Sequence, residues 1–155
     1  MKKFELKSIS ENAIDSALEK AVWYRALNEP LEAESICRDV LVVDPDHQLA
    51  ISTLLLALTD QCARGLSQGV RESRELAKSL QSDYEKEYFT GLIAERRAKS
   101  QYDKGIPGCG HLAYEGLEEA MAHYEKAQKL SPEGKGDAVL RWNTCARIIN
   151  GHPDI

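Results

Sequence analysis

Residues 14–47, IDSALEKAVWYRALNEPLEAESICRDVLVVDPDH, decide the fold. They read as two short amphipathic helices joined by a tight turn at residues 28–31. Ala21 and Tyr24 on the first helix are followed by Ala33, Cys37 and Val40 on the second, and Pro45 closes the unit. The small residues mark where the paired helices cross closely, because a larger side chain there would push them apart. Tyr24 and Cys37 fill the space beside the crossing. A unit of this length cannot bury its apolar face alone, so it stacks on similar units into a curved array whose concave wall is normally a binding surface. The stretch points to a binding protein and leaves the ligand open.

Residue by residue, the stretch resembles a tetratricopeptide repeat, whose pattern is W-x2-L-G-x2-Y, then A-x3-F, then P. Ala21 stands at the Gly of the pattern, Tyr24 at its Tyr, Ala33 at its Ala, Cys37 at its Phe and Pro45 at its Pro, while Ala17 and Lys20 depart at the Trp and Leu sites. The resemblance recurs in broken form downstream. Gly91 and Ala94 share one helix, and Ala120, Tyr124, Ala127 and Pro132 have the spacing of the second. Glu87, Thr90 and Ala94 depart from the Trp, Leu and Tyr of the pattern. Residues 101–113 form an insertion where the first repeat has only its turn, and Gly105, Gly108 and Gly110 suggest a long turn there. Residues 48–83 have nearly the right length for a degenerate middle unit, with Leu55 at the small site and no closing proline.

The resemblance implies an all-α fold: a right-handed superhelical stack of antiparallel helix pairs, about three repeats and a C-terminal capping helix, in a single domain over residues 1–155. The apolar periodicity predicts helices at about 11–28, 31–43, 47–63, 66–81, 83–101, 114–130 and 136–149. Leu66, Val70, Ala77 and Leu80 draw the stripe of the fourth. Ser82 and Glu85 have capping-box spacing at the start of the fifth, and Asp46 and Ser131 are further candidate caps. The last helix, through Val139, Trp142, Cys145, Ala146 and Ile149, is expected to cover the open end, with Trp142 either buried against the preceding pair or exposed as an anchor for a partner. Residues 2–9 have no helical stripe and leave an apolar edge near Ile14 and Leu31, so a monomer or weak homodimer is expected.

A net charge of -5 argues against nucleic acid as a partner, since phosphate recognition needs a basic excess or patch. Arg96, Arg97 and Lys99 do not all share a helical face and have Glu95 beside them, which reads as a solvated edge with some ion pairs, the alternative being a contact for an acidic peptide or anion. No apolar run has membrane-spanning length, and the residues after Met1-Lys2-Lys3 supply no secretory core, so a cytoplasmic protein without a membrane partner is expected.

Chemistry-bearing motifs are few. Cys37, Cys62, Cys109 and Cys145 include no Cys-x-x-Cys pair, and Cys37 and Cys145 lie on apolar stripes. Cys109 and His111 could bind metal or form a reactive pair, but a structural zinc site needs four ligands and no second pair is nearby. Lys104 precedes the glycines of residues 105–110, the reverse of a phosphate loop. His47, His123 and His152 are isolated. Glu115, Glu118 and Glu119 fit the first turn of a helix, where they favour the dipole. No catalytic residue, metal site or cofactor is expected; the alternative is a small enzyme or metal-dependent sensor built on Cys109 and His111.

In arrays of the resembled kind the first helix of each pair lines the concave side. Carried onto this chain, that selects a groove of Leu18, Val22 and Arg25, then Ser52, Leu56 and Thr59, then Tyr88, Leu92 and Glu95. The implied function is a non-catalytic adaptor that holds a peptide or helix of another protein there. Leu18 and Val22 stand where a carboxylate clamp would be polar, so an apolar or mixed groove is expected. The insertion, with Tyr102, Ile106, Leu112 and Tyr114, is expected to be a recognition element or lid.

Overall fold

The computed structural model describes residues 3–62, 67–132 and 136–155, with Ser67 and Gln68 described as backbone only. Leu66, expected on the fourth stripe, lies outside them. Every regular element among the described residues is helical. A 3-10 turn, Glu11–Ala13, leads into α1 (Ile14–Ala26), α2 (Pro30–Val43), α3 (Gln48–Asp60), α4 (Ser67–Ser79), α5 (Asp83–Tyr102), α6 (Cys109–Leu130) and α7 (Asp137–Gly151). The chain is all-α, and none of these helices is long and apolar enough to cross a membrane.

Local chemistry sets the helix ends. Asn28 takes a left-handed φ of 62° after α1, the amide of Asn28 donates to Arg25 O and that of Glu29 donates to Tyr24 O. This pair of bonds satisfies the last carbonyls of α1, and Asn tolerates the conformation better than most residues. Pro30 then begins α2, where its missing N–H costs nothing. Ser82 caps α5 as its spacing suggests, accepting from the Glu85 amide at 3.4 Å. Two expected caps differ. His47 Nδ1, not Asp46, accepts from the Ala50 amide at 3.3 Å, and Gly136 occupies the N-cap of α7 while Ser131 ends α6.

Each helix packs on the next, and the odd-numbered ones also touch one another, α1 on α3 and α3 on α5. Gln48 Oε1 accepts the Gln81 amide at 2.8 Å beside the start of α5, and Ser100 Oγ donates to Cys62 O at 3.0 Å just past the end of α3. Those two ties make α3 and α5 parallel neighbours. On the other side, Arg38 of α2 grips Glu72 of α4 with both guanidinium nitrogens, at 2.8 and 3.0 Å. Arg74 of α4 meets Glu119 of α6 at 3.6 Å.

Small residues set the crossings, as the opening stretch suggests. Ala21, Ala33 and Cys37 are buried between α1 and α2 with Leu54 and Leu58 of α3. In the α5–α6 pair a Cβ on Gly116 would stand 2.9 Å from Ala98 Cβ, and one on Gly91 would stand 3.0 Å from the Tyr124 ring. Any larger side chain at either position would force the pair apart.

The insertion is not a long turn. α5 continues to Tyr102 and α6 begins at Cys109, so the extra residues lengthen both helices and leave only 103–108 between them. Gly105 and Gly108, at φ 61° and 82°, make that turn. Gly110 serves a different need: the chain end folds back over α6, and a Cβ on Gly110 would lie 1.8 Å from Asp154 O. Asp154 takes the Tyr102 hydroxyl at 2.9 and 3.0 Å. With α6 starting early, Glu115, Glu118 and Glu119 lie beyond its first turn, so the expected dipole role lapses. Instead Glu118 accepts from Tyr114 at 2.8 Å, Glu119 pairs with Arg74, and Glu115 lies 3.4 Å from His111.

Ile14 is another departure: it is buried in the first core cluster rather than exposed at an edge. The apolar surface at that end is Trp23, Leu27 and Leu31, each half exposed or more. At the other end Trp142 is partly buried against the second cluster and donates its indole N–H to Glu125 at 3.1 Å.

Candidate functional site

The expected groove residues fall on α1, α3 and α5 and divide into two groups. Leu18, Thr59, Leu92 and Glu95 are buried. They belong to the interior because helices that touch on two sides present a narrower accessible stripe than a first helix facing open solvent. Val22 is 47% exposed, and Arg25, Ser52, Leu56 and Tyr88 are partly so.

Most of this stripe is held by charge. Asp60 of α3 takes Arg25 Nε of α1 at 2.7 Å and Arg96 Nη1 of α5 at 2.6 Å, one cation per carboxylate oxygen. Arg96 also donates to Leu56 O at 3.1 Å and to Thr59 Oγ1 at 2.5 Å. Three helices are thereby tied by one carboxylate and two guanidiniums. Arg96 is pulled below its ordinary pKa chiefly by burial, with Asp60 opposing and Arg25 and Arg141 adding to the fall.

Immediately before Arg96 on α5 stands Glu95, with 0% of its surface exposed. Its carboxylate pairs with Lys99 on the same helix, accepts the Tyr124 hydroxyl of α6 at 2.6 Å and meets Arg141 of α7 at 3.3 Å. Burial, the Glu95 charge and the hydrogen bond to it all push the Tyr124 phenol up. Burial alone would lower Arg141, but Glu95 and a hydrogen bond with Tyr88 outweigh it and raise its pKa. Arg96 and Lys99, read from sequence as a solvated edge, are therefore parts of a paired inner network. Asp60 and Arg141 had no sequence signal for these pairings and Tyr124 was read only as a residue of the repeat pattern, since their partners lie 29 to 46 residues away.

The N-terminal end of the stripe differs. Asp15, Leu18, Glu19 and Val22 of α1 and Leu49 of α3 line a cavity of about 480 Å³. Leu18 lies buried in it, while Val22 and the 52% exposed Leu49 flank it. Neither Asp15 nor Glu19 has a hydrogen-bond or ion-pair partner among the described residues.

Cysteine chemistry is constrained by burial. Cys37, Cys62 and Cys145 are buried and unpaired, and desolvation pushes Cys37 and Cys145 up to about 12 and raises Cys62. Only the thiolate is a good nucleophile, so these three are expected to react with a thiol reagent only on unfolding, and the partly exposed Cys109 to react in the native state. Fast labelling of more than one thiol in the native protein would contradict this. The sign for stability follows: a thiol pKa raised on folding contributes fully below its unfolded value near 9, and that contribution is lost as pH rises from there towards 12.

At the α5–α6 turn, His111 faces solvent against Glu115, and Cys109, two residues earlier, is the first residue of α6. No group of three or more His, Cys, Asp or Glu side chains among the described residues could hold a metal ion. No family model matches the chain, and no curated protein or solved structure does.

Proposed function

We propose that the chain is a non-catalytic protein-interaction module of the tetratricopeptide-repeat kind, a superhelical stack in the cytoplasm that holds a segment of another protein along α1, α3 and α5. The supporting observation is the continuous stripe formed by these parallel helices, open and apolar at the Val22 and Leu49 end and braced by the Asp60 and Glu95 networks at the other. Bracing matters because a binding face whose side chains are already fixed loses less entropy when a partner seats on it.

The intact chain is compared as bait with two double variants, Val22→Arg with Ser52→Arg on the stripe, and Cys109→Ala with His111→Ala at the turn. Partners identified by mass spectrometry are expected to persist with the turn variant and to be lost with the stripe variant. Loss with the turn variant alone would favour the enzyme or metal-sensor reading.

A further inference from the structure

Resting on that interaction-module reading, we infer that the cavity between α1 and α3 takes a basic peptide segment, with a large apolar side chain seated against Val22 and Leu49 over the buried Leu18 and lysine or arginine facing Asp15 and Glu19. The apolar part rests on the cavity itself and on the exposure of Val22 and Leu49 beside it. The basic part rests on charge. Elsewhere on the stripe each carboxylate already holds two cations, Asp60 with Arg25 and Arg96, Glu95 with Lys99 and Arg141. Asp15 and Glu19 hold none.

Asp15 stands in the first turn of α1 and suits the helix dipole, but Glu19 is past the reach of that effect. Arg25, the cation of α1 on the same stripe, is committed to Asp60, and Lys20 does not line the cavity. An acidic segment would meet two uncompensated like charges. A small apolar molecule of fitting volume would be poorly covered, because the walls at Val22 and Leu49 are half open, whereas drug-sized ligands are usually mostly enclosed. Opposite charge flanking an apolar anchor gives register as well as attraction, and the attraction weakens with salt.

The test uses the full chain and short labelled peptides of identical leucine spacing, in which the remaining positions are lysine, serine or glutamate. By fluorescence anisotropy the leucine/lysine peptide is expected to bind most tightly. Asp15→Lys with Glu19→Lys should weaken it by about tenfold or more. The same charge change made on α6, Glu118→Lys with Glu125→Lys, should leave affinity within about twofold. Leu49→Ser should also weaken binding while its melting curve stays that of the parent.

Equal losses in both charge-reversed proteins would overturn the inference, since they would report only attraction to an acidic chain. Equal binding of the leucine/serine peptide, or no binding by any peptide, would overturn it too. Preference for the leucine/glutamate peptide, abolished by Arg25→Gln, would overturn it while leaving the interaction-module reading in place.

Discussion

Replacing Glu95 by alanine is expected to lower the unfolding free energy by about 3–5 kcal/mol, the cost of removing one partner from a buried charge network. The carboxylate is fully buried and serves Tyr124, Lys99 and Arg141 at once. Without it the Tyr124 hydroxyl is left in the interior with no acceptor, and Arg141 faces Arg96 without a compensating charge. The loss is large against the 5–15 kcal/mol that typical domains have in total. Glu95→Gln, which keeps an oxygen for Tyr124 but not the charge, should cost less. Urea denaturation of the two variants checks this, with the midpoint shifting and the slope unchanged. A loss under about 1 kcal/mol for Glu95→Ala would mean that the network is only as strong as an exposed ion pair.

Deletion of residues 137–155 should have a still broader effect. α7 brings Ala138 and Cys145 into the cluster that surrounds Tyr84, Leu117 and Tyr124, and it supplies Arg141 to Glu95. Removing it uncovers apolar surface on α5 and α6 and strips the buried carboxylate of a cation. The chain end leaves with it, and Tyr102 loses Asp154. The shortened protein is expected to aggregate on gel filtration or to melt without a cooperative transition. A monomer with an unchanged melting temperature would show that α7 is not a cap.

The all-helical class was legible because it depends on local patterns. Apolar residues at helical spacing, Pro30 at a helix start and Ser82 three residues before Glu85 each carry their information within one turn. The crossings were legible as well, since Ala21, Ala33 and Gly91 can be recognised by size alone. Where the reading failed, the deciding contact was distant in sequence. Gly110 looked like one more turn glycine because nothing nearby announces that Asp154 returns over it. The Arg96 region looked solvated because Asp60 lies on another helix.

The candidate site was less legible than the fold for the same reason. A helical pattern tells which residues share a face, but whether that face is open depends on how closely neighbouring helices approach. Leu92 and Glu95 share the stripe with Tyr88, yet they are buried where it is not. The acid-flanked cavity near Leu18 needed both α1 and α3 in place before Asp15 and Leu49 could be related.

The central claim is that partners seat on the stripe of odd-numbered helices, and site-specific photocrosslinking tests it most directly. A benzophenone side chain is placed in the full chain at Val22 or Ser52 on the stripe, or at Ser35 on the exposed face of α2. With a captured partner present, crosslinks are expected from positions 22 and 52 and not from position 35. Crosslinking from position 35 alone would contradict the account.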